Sequence, residues 1–238
     1  MKTIVLKLSG PMQSWGTSSN YEYRKTDYYP SKSGIIGLVA ASLGLERDSS
    51  DIAKLNALDF AVRIDQPGVL KKDFQIAASY NENTGQFIRN YVIQREYVED
   101  AVYLVTLGGE DNLISKVYDS LCNPYYQQYM GRKSCALPPD FVLGVYDGNS
   151  VDVLMSFEWK ASEWYKKKNS VYIANIFFDA KVADRKTRIR NDNVVKFAIG
   201  KGLYEPRLES SVSVVLKEPL KEIEAMSAVT DFFDELEE

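Results

Sequence analysis

Residues 69–107 read VLKKDFQIAASY, NENTGQ, FIRNYVIQREYVED and AVYLVTL in succession, and the reading of this stretch decides the fold. The runs Val69–Tyr80 and Phe87–Val98 are rich in residues that favour strands. Between them, Asn81-Glu82-Asn83-Thr84-Gly85 supplies turn formers, so the pair predicts a protruding hairpin. Ala101–Leu107 is apolar almost throughout, which predicts a buried strand. Upstream, Leu58–Ile64 predicts another strand, closed by the turn Gln66-Pro67-Gly68. Ile52–Leu58 adds a short helix. Ser31-Lys32-Ser33 opens a longer helix that runs to about Gly44, with a serine cap and a terminal glycine. Lys2–Leu8 alternates as a strand, and a long loop from Ser9 to Pro30 carries Trp15, Tyr21, Tyr23, Tyr28 and Tyr29. Downstream, Asp111–Leu121 places Leu113, Ile114, Val117 and Leu121 at helical spacing.

The order is strand, helix, strand, hairpin, strand, helix. It predicts an α+β fold, a ferredoxin-like (RRM-like) domain over residues 1–140 with an inserted thumb hairpin at about 80–98. Beyond Pro138-Pro139 the pattern weakens. Phe141–Tyr146, Val171–Phe178 and Ser211–Leu216 predict a smaller, mostly β portion over 141–230, followed by an acidic tail at 231–238.

Of the 238 residues, 45% are hydrophobic and 26% charged, the balance of a chain that folds around a core. No apolar run approaches the ~18–20 residues of a membrane span. Met1-Lys2 leads straight into a strand without a signal-peptide core. The two cysteines, Cys122 and Cys135, make no disulfide framework. The expectation is a cytoplasmic, reduced, soluble protein with no membrane contact. There is no histidine. That removes serine and cysteine nucleophiles paired with imidazole, imidazole zinc sites and the histidine pairs of many ribonucleases. The cysteines lack C-x-x-C spacing, and no cofactor is expected. Catalysis is left to carboxylates, Lys, Tyr, Ser or a carboxylate-bound metal.

A net charge of −4 argues at first against a nucleic-acid partner. The last eight residues carry −5, however, so residues 1–230 sum to +1. Between Lys181 and Arg207, eight basic residues, Arg188 and Arg190 among them, meet only three acidic ones. Such a run is either a solvated face or a surface for an anionic partner.

Three further constellations suit RNA. The first is the start of the helix at Ser31, where Lys32, Ser33 and free N–H groups face a phosphate, unless the stripe Gly34, Gly37, Ala41 and Gly44 serves tight packing alone. The second is Gln94-Arg95-Glu96-Tyr97, where alternation puts Arg95 and Tyr97 on one face. The third is Tyr125-Tyr126-Gln127-Gln128-Tyr129-Met130-Gly131-Arg132-Lys133-Ser134, which joins Tyr129 and its neighbouring rings to the cations Arg132 and Lys133.

Four stretches together resemble the CasD family, the handle-binding subunit of type I-E CRISPR Cascade. They are Gly10-Pro11-Met12-Gln13-Ser14-Trp15-Gly16, Tyr29–Leu38, Gln94–Ala101 and Tyr129–Cys135, and they fall in the family's order. Arg190-Asn191-Asp192 and Glu205-Pro206-Arg207 match more loosely. The resemblance implies a non-catalytic subunit with a ferredoxin-like palm and a thumb. Its implied partners are the repeat-derived 5′ handle of the guide RNA, CasC-type backbone subunits, a CasA-type large subunit and, indirectly, target DNA. The RNA contacts fall to Arg95, Arg132 and Lys133, with Gln94, Tyr97, Tyr129, Lys32, Ser33, Arg188 and Arg190 around them. A related subunit of another CRISPR subtype cleaves precursor RNA with a catalytic histidine, which this chain lacks. The competing expectation is a metal-independent endoribonuclease using Tyr and Lys, whose ordinary pKa values near 10 would both have to move far.

Overall fold

The computed structural model describes residues 1–17, 22–185, 187–197 and 202–217. β1 spans Lys2–Ser9, and two very short strands follow, β2 at Met12–Gln13 and β3 at Tyr23–Arg24. Helix α1 covers Lys32–Ser42, and α2 covers Asp51–Lys54 with a 3-10 turn behind it. Then come β4 (Asp59–Gln66), β5 (Val69–Tyr80), β6 (Phe87–Glu99), β7 (Val102–Gly109) and α3 (Asp111–Cys122). The remainder holds β8 (Val142–Asp147), α4 (Ser150–Ser156), α5 (Glu163–Lys168), β9 (Val171–Asp179), β10 (Arg188–Lys196) and β11 (Leu203–Lys217).

Seven strands form one antiparallel sheet in the order β10-β11-β9-β4-β7-β1-β8. Its central strands are covered on both faces. Ile4, Leu6, Leu8, Phe60, Val62, Tyr103, Val105 and Leu107 pack in one core with residues of α1, α2 and α3. The intervening Val5, Ala61 and Leu104 pack with Val153 and Leu154 of α4. A strand dry on both faces has no reason to alternate, which is why 101–107 is apolar almost throughout. Arg63 and Asp65 on β4 are both fully buried, with Nε 2.6 Å from Oδ1. Arg63 also donates to the carbonyls of Leu154, Phe157 and Glu158, fixing α4 and the segment after it to the sheet.

The second sheet is the hairpin. β5 pairs with β6 from Val69↔Glu99 to Tyr80↔Phe87, so the thumb begins at Val69, well before the expected residue 80. Its base is tied down by β2 and β3, which lie against the other edge of β6. The long loop expected from Ser9 to Pro30 therefore carries two short strands.

The C-terminal part departs from expectation in a second way. β8 pairs with β1 and β9 pairs with β4, so the strands beyond residue 141 extend the first sheet instead of forming a portion of their own. The reason lies in backbone hydrogen bonding: without them β1 and β4 would be open edges. Residues 218–230 of that expected portion, and the acidic tail 231–238, lie outside the described residues. Among the described residues no helix is long and apolar enough to cross a membrane.

Candidate nucleic-acid interface

The four stretches that carry the resemblance meet in space, although they are spread over residues 10–135. Met12 and Gln13 pair with Glu99 and Val98. The Gln13 amide donates to the carbonyls of Leu8 and Ala101, and the Trp15 indole N–H donates to Gln13 Oε1. The ring of Trp15, 1% exposed, lies against α1 at Gly34, where a Cβ would come within 3.0 Å of it. Ser14 N–H donates to Met130 O, and Ser14 Oγ donates to Glu96 O. Gly131 seats the 129–135 loop on this frame. Its φ is +80°, and a Cβ would fall 1.6 Å from the Ser14 carbonyl oxygen.

The seated loop delivers Arg132 to β6. Its guanidinium donates to Glu96 O at 3.0 Å and Arg24 O at 2.8 Å, and its Cζ stands 4.6 Å from the centre of the Tyr97 ring. Burial pushes the Tyr97 phenol up, but hydrogen bonds with Arg132, Ser134 and Arg95 and the Arg132 charge outweigh it and hold the phenol below its ordinary value. Arg95 is half-buried beside it, and its Nε is buried without a hydrogen-bond partner. An unspent buried donor on a cation is costly unless an acceptor arrives. Lys133 is exposed next door, Gln94 is half-buried on β6, and Tyr129 bridges to Ala136 at the start of the loop. Gln94, Arg95, Tyr97, Arg132 and Lys133 are thus gathered at the root of the thumb.

Lys32, Ser33, Arg188 and Arg190 are placed elsewhere. Lys32 is buried, its Nζ held by Asp179 at 2.7 Å and by Asn56 O at 2.9 Å. The start of α1 is occupied from within the chain: Ser31 Oγ accepts from Gly34 N–H, and Asp192 accepts from Lys32 N–H at 2.9 Å. Ser33 is buried there and contacts Ser31 Oγ. The phosphate expected at this helix end is replaced by an internal carboxylate. The stripe of small residues serves packing, since a Cβ at Gly37 would meet the Phe197 ring at 3.2 Å.

Arg188 is bound by Glu209, and Arg190 by Asp27, Asp192 and Glu209. Arg207 completes the group with ion pairs to Asp179, Asp192 and Glu209. Burial pulls the Arg207 guanidinium down, yet the hydrogen bond and charge of Asp192, with Asp179 and Glu209, hold it above its ordinary value. Burial likewise raises Asp27 despite the pull of Arg190. Three of the eight basic residues of the run 181–207, Arg188, Arg190 and Arg207, are therefore spent on four carboxylates of the same chain; Lys186 and Lys201 lie outside the described residues. Among the described residues, no group of three or more side chains is set to hold a metal ion.

One set of aromatic and basic residues escaped the sequence reading. Arg89 and Tyr91 continue the face of β6 that carries Arg95 and Tyr97, and the Arg89 guanidinium lies 4.1 Å over the Tyr91 ring. Extending the alternation six residues from Arg95 towards the tip would have found them.

A family model described as CRISPR-associated protein (Cas_Cas5) matches residues 3–188. The chain belongs to this CRISPR-associated Cas5 family. It is 30% identical over 186 residues to the CRISPR system Cascade subunit CasD of Escherichia coli (strain K12), covering 70% of this chain and 81% of that one. A chain of a solved CRISPR RNA-guided surveillance complex is 27% identical, with a TM-score of 0.75 over 90% of this chain and 91% of that chain. A second solved structure, described as a Cas protein, is 28% identical, with a TM-score of 0.64 over 90% of this chain and 95% of its own. The mixed α+β architecture of largely antiparallel sheets is the one these Cas proteins share. The family's matched span contains both the thumb and the Arg132 loop.

Proposed function

We propose that this Cas5-family chain is a non-catalytic, cytoplasmic RNA-binding subunit of a Cascade-type antiviral complex. It holds the repeat-derived 5′ handle of the guide RNA at the root of its thumb. It caps a row of CasC-type backbone subunits beside a CasA-type large subunit, and so meets target DNA only indirectly. The observation that carries this reading is the arginine–tyrosine shell of Arg95, Tyr97 and Arg132, with its unspent buried Arg95 donor, built where the family's stretches converge. Phosphate oxygens are the acceptors that such a shell lacks. The chain order strand-helix-strand-strand-helix-strand and the sheet order β8-β1-β7-β4 support a ferredoxin-like palm, with the thumb inserted between its second and third strands.

Cleavage finds little support in the ionisable groups. Burial pushes the Tyr103 phenol up, and pushes that of Tyr172 up to about 12, further from the range of a general base. Tyr97 moves the other way, but its ring is 6% exposed and its hydroxyl is engaged by three neighbours. It is built to position cations.

The thumb has a second face suited to a protein. Phe74, Ile76 and Val92 lie on one side of the hairpin, opposite the Arg89–Tyr97 face, and all three are exposed. Deleting residues 82–88 is expected to leave the domain folded, because every residue in that span is exposed. Recovery of RNA-loaded complex from cells co-expressing the backbone subunits should fall severalfold. Recovery at the wild-type level with a full RNA load would remove the thumb from assembly.

A further inference from the structure

A groove of about 280 Å³ runs along the edge of β6 just beyond its short pairing with β3. Tyr23 and Tyr91 bring two exposed rings to its walls, and Arg89 stacks on the second of them. Asn90 and Gln94 bring two carboxamides, and among the described residues neither makes a side-chain hydrogen bond within the chain. We propose that this groove takes one unpaired nucleobase of the bound RNA, with adenine preferred. The proposal rests on the RNA-binding reading above and names the part of the strand that the thumb contacts.

The chemistry of the lining excludes the plainer ligands. A bare phosphate has no use for two rings and would meet the Glu22 carboxylate that also lines the groove, and an apolar side chain, although it could rest on Val92, would strand two amides. A base satisfies both kinds of group, since its faces stack on tyrosine or guanidinium and its edge carries donors and acceptors. A carboxamide presents a donor and an acceptor side by side, the pair that matches the adenine amino group and its neighbouring ring nitrogen. The volume lies near the lower end of the ~300–1,000 Å³ of small-molecule pockets. That suits one nucleoside and leaves no room for a duplex.

The location agrees. Arg89, Tyr91, Arg95 and Tyr97 stand at alternate positions on one face of β6, and the six residues from Tyr91 to Tyr97 span about 20 Å. A single strand gripped at Arg95 can therefore follow the ridge outwards and drop one base over the edge into the groove. Phosphates would meet Arg95 and Arg89 on either side of it.

The test uses the full-length chain and three eight-nucleotide single-stranded RNAs: oligoadenylate, oligouridylate and an abasic ribose-phosphate strand. Affinities are measured for the wild type, Tyr91→Ala and Tyr91→Phe at one low salt concentration. Tyr91 is partly exposed, so the melting temperature should hardly move in either variant. The wild type should bind oligoadenylate about tenfold more tightly than the abasic strand, with oligouridylate between them. Tyr91→Ala should erase most of that difference while leaving the abasic affinity unchanged, and Tyr91→Phe should retain it. If Tyr91→Ala binds all three strands as the wild type does, the phosphate contacts stand and the base site is overturned. If the wild type binds none of the three, either alone or within the assembled complex, the RNA-binding reading beneath it fails too. The groove is then left to a strand of a partner protein.

Discussion

Replacing Asp192 by alanine is expected to cost the fold about 3–5 kcal/mol, the range for removing one partner of a buried ion pair. Asp192 is fully buried and holds Arg207 through two bonds of 2.6 and 3.1 Å, Arg190 at 3.1 Å and the first N–H of α1 at 2.9 Å. Its loss leaves two guanidiniums short of an anion and the first N–H of α1 without its acceptor. At about 2–4 °C per kcal/mol for a chain of this size, the melting temperature should fall by about 10 °C or more. Arg188→Ala is the contrast. That side chain is 54% exposed, so its pair with Glu209 is largely screened and its loss should cost about 1 kcal/mol at most. Thermal melts of the two variants check the point. If Asp192→Ala melted like the wild type, these cations would be free for an outside ligand, and the helix end would regain its claim on a phosphate.

Gly131→Ala is expected to release the loop that carries Arg132. A left-handed backbone costs a residue with a Cβ about 1–2 kcal/mol. The overlap with the Ser14 carbonyl is worse, because a Cβ 1.6 Å from a backbone oxygen cannot be relieved by a rotamer change. The total should reach about 3 kcal/mol, with strain and overpacking combined. Because Arg132 rides on this loop, its bonds to Glu96 and Arg24 should be lost with it, and affinity for RNA should drop with the melting temperature. Gly85→Ala at the thumb tip isolates the backbone cost, since φ is +66° there with nothing within 4 Å of the new methyl. A Gly131→Ala variant with wild-type melting and wild-type RNA affinity would contradict the docking of the loop.

The strands and helices that bury an apolar face could be read from the sequence. Ser31 caps α1 as its position beside a small-residue helix implies, and Ile114, Val117 and Leu121 bury the side of α3 that their spacing marks. The elements that went unread are those stabilised by partners far along the chain. β10, with the sequence RIRNDNVVK, resembles a polar connection until its arginines find their carboxylates. Lys32 is separated from Asp179 by 147 residues, and Arg190 from Asp27 by 163. No local pattern reports pairings at that separation. β2 and β3 are two residues each, too short for any period. The same logic divides the candidate site. Arg95 and Tyr97 share a face because strands alternate, so their association was legible. Arg132 joins them through Gly131, whose need for the left-handed conformation only the folded chain reveals. Lys32 and Arg190 have the residue types of phosphate contacts, and only the fold shows that their charges are spent inside.

The central claim is that the shell around Arg95 holds RNA without cutting it. It is tested most directly by the affinity of a labelled repeat-derived RNA across a salt series, with the same samples resolved for cleavage products. The wild type and Arg95→Ala are compared within the assembled complex if the isolated chain binds poorly. Each phosphate neutralised on a single strand contributes about 0.7 to the slope of log affinity against log salt. Arg95→Ala should lower that slope by about 0.7–1 and weaken binding at low salt, with the melting temperature unchanged and the RNA intact throughout. Equal slopes and affinities for the two proteins, or specific products that vanish in a Tyr97→Phe variant, would contradict it.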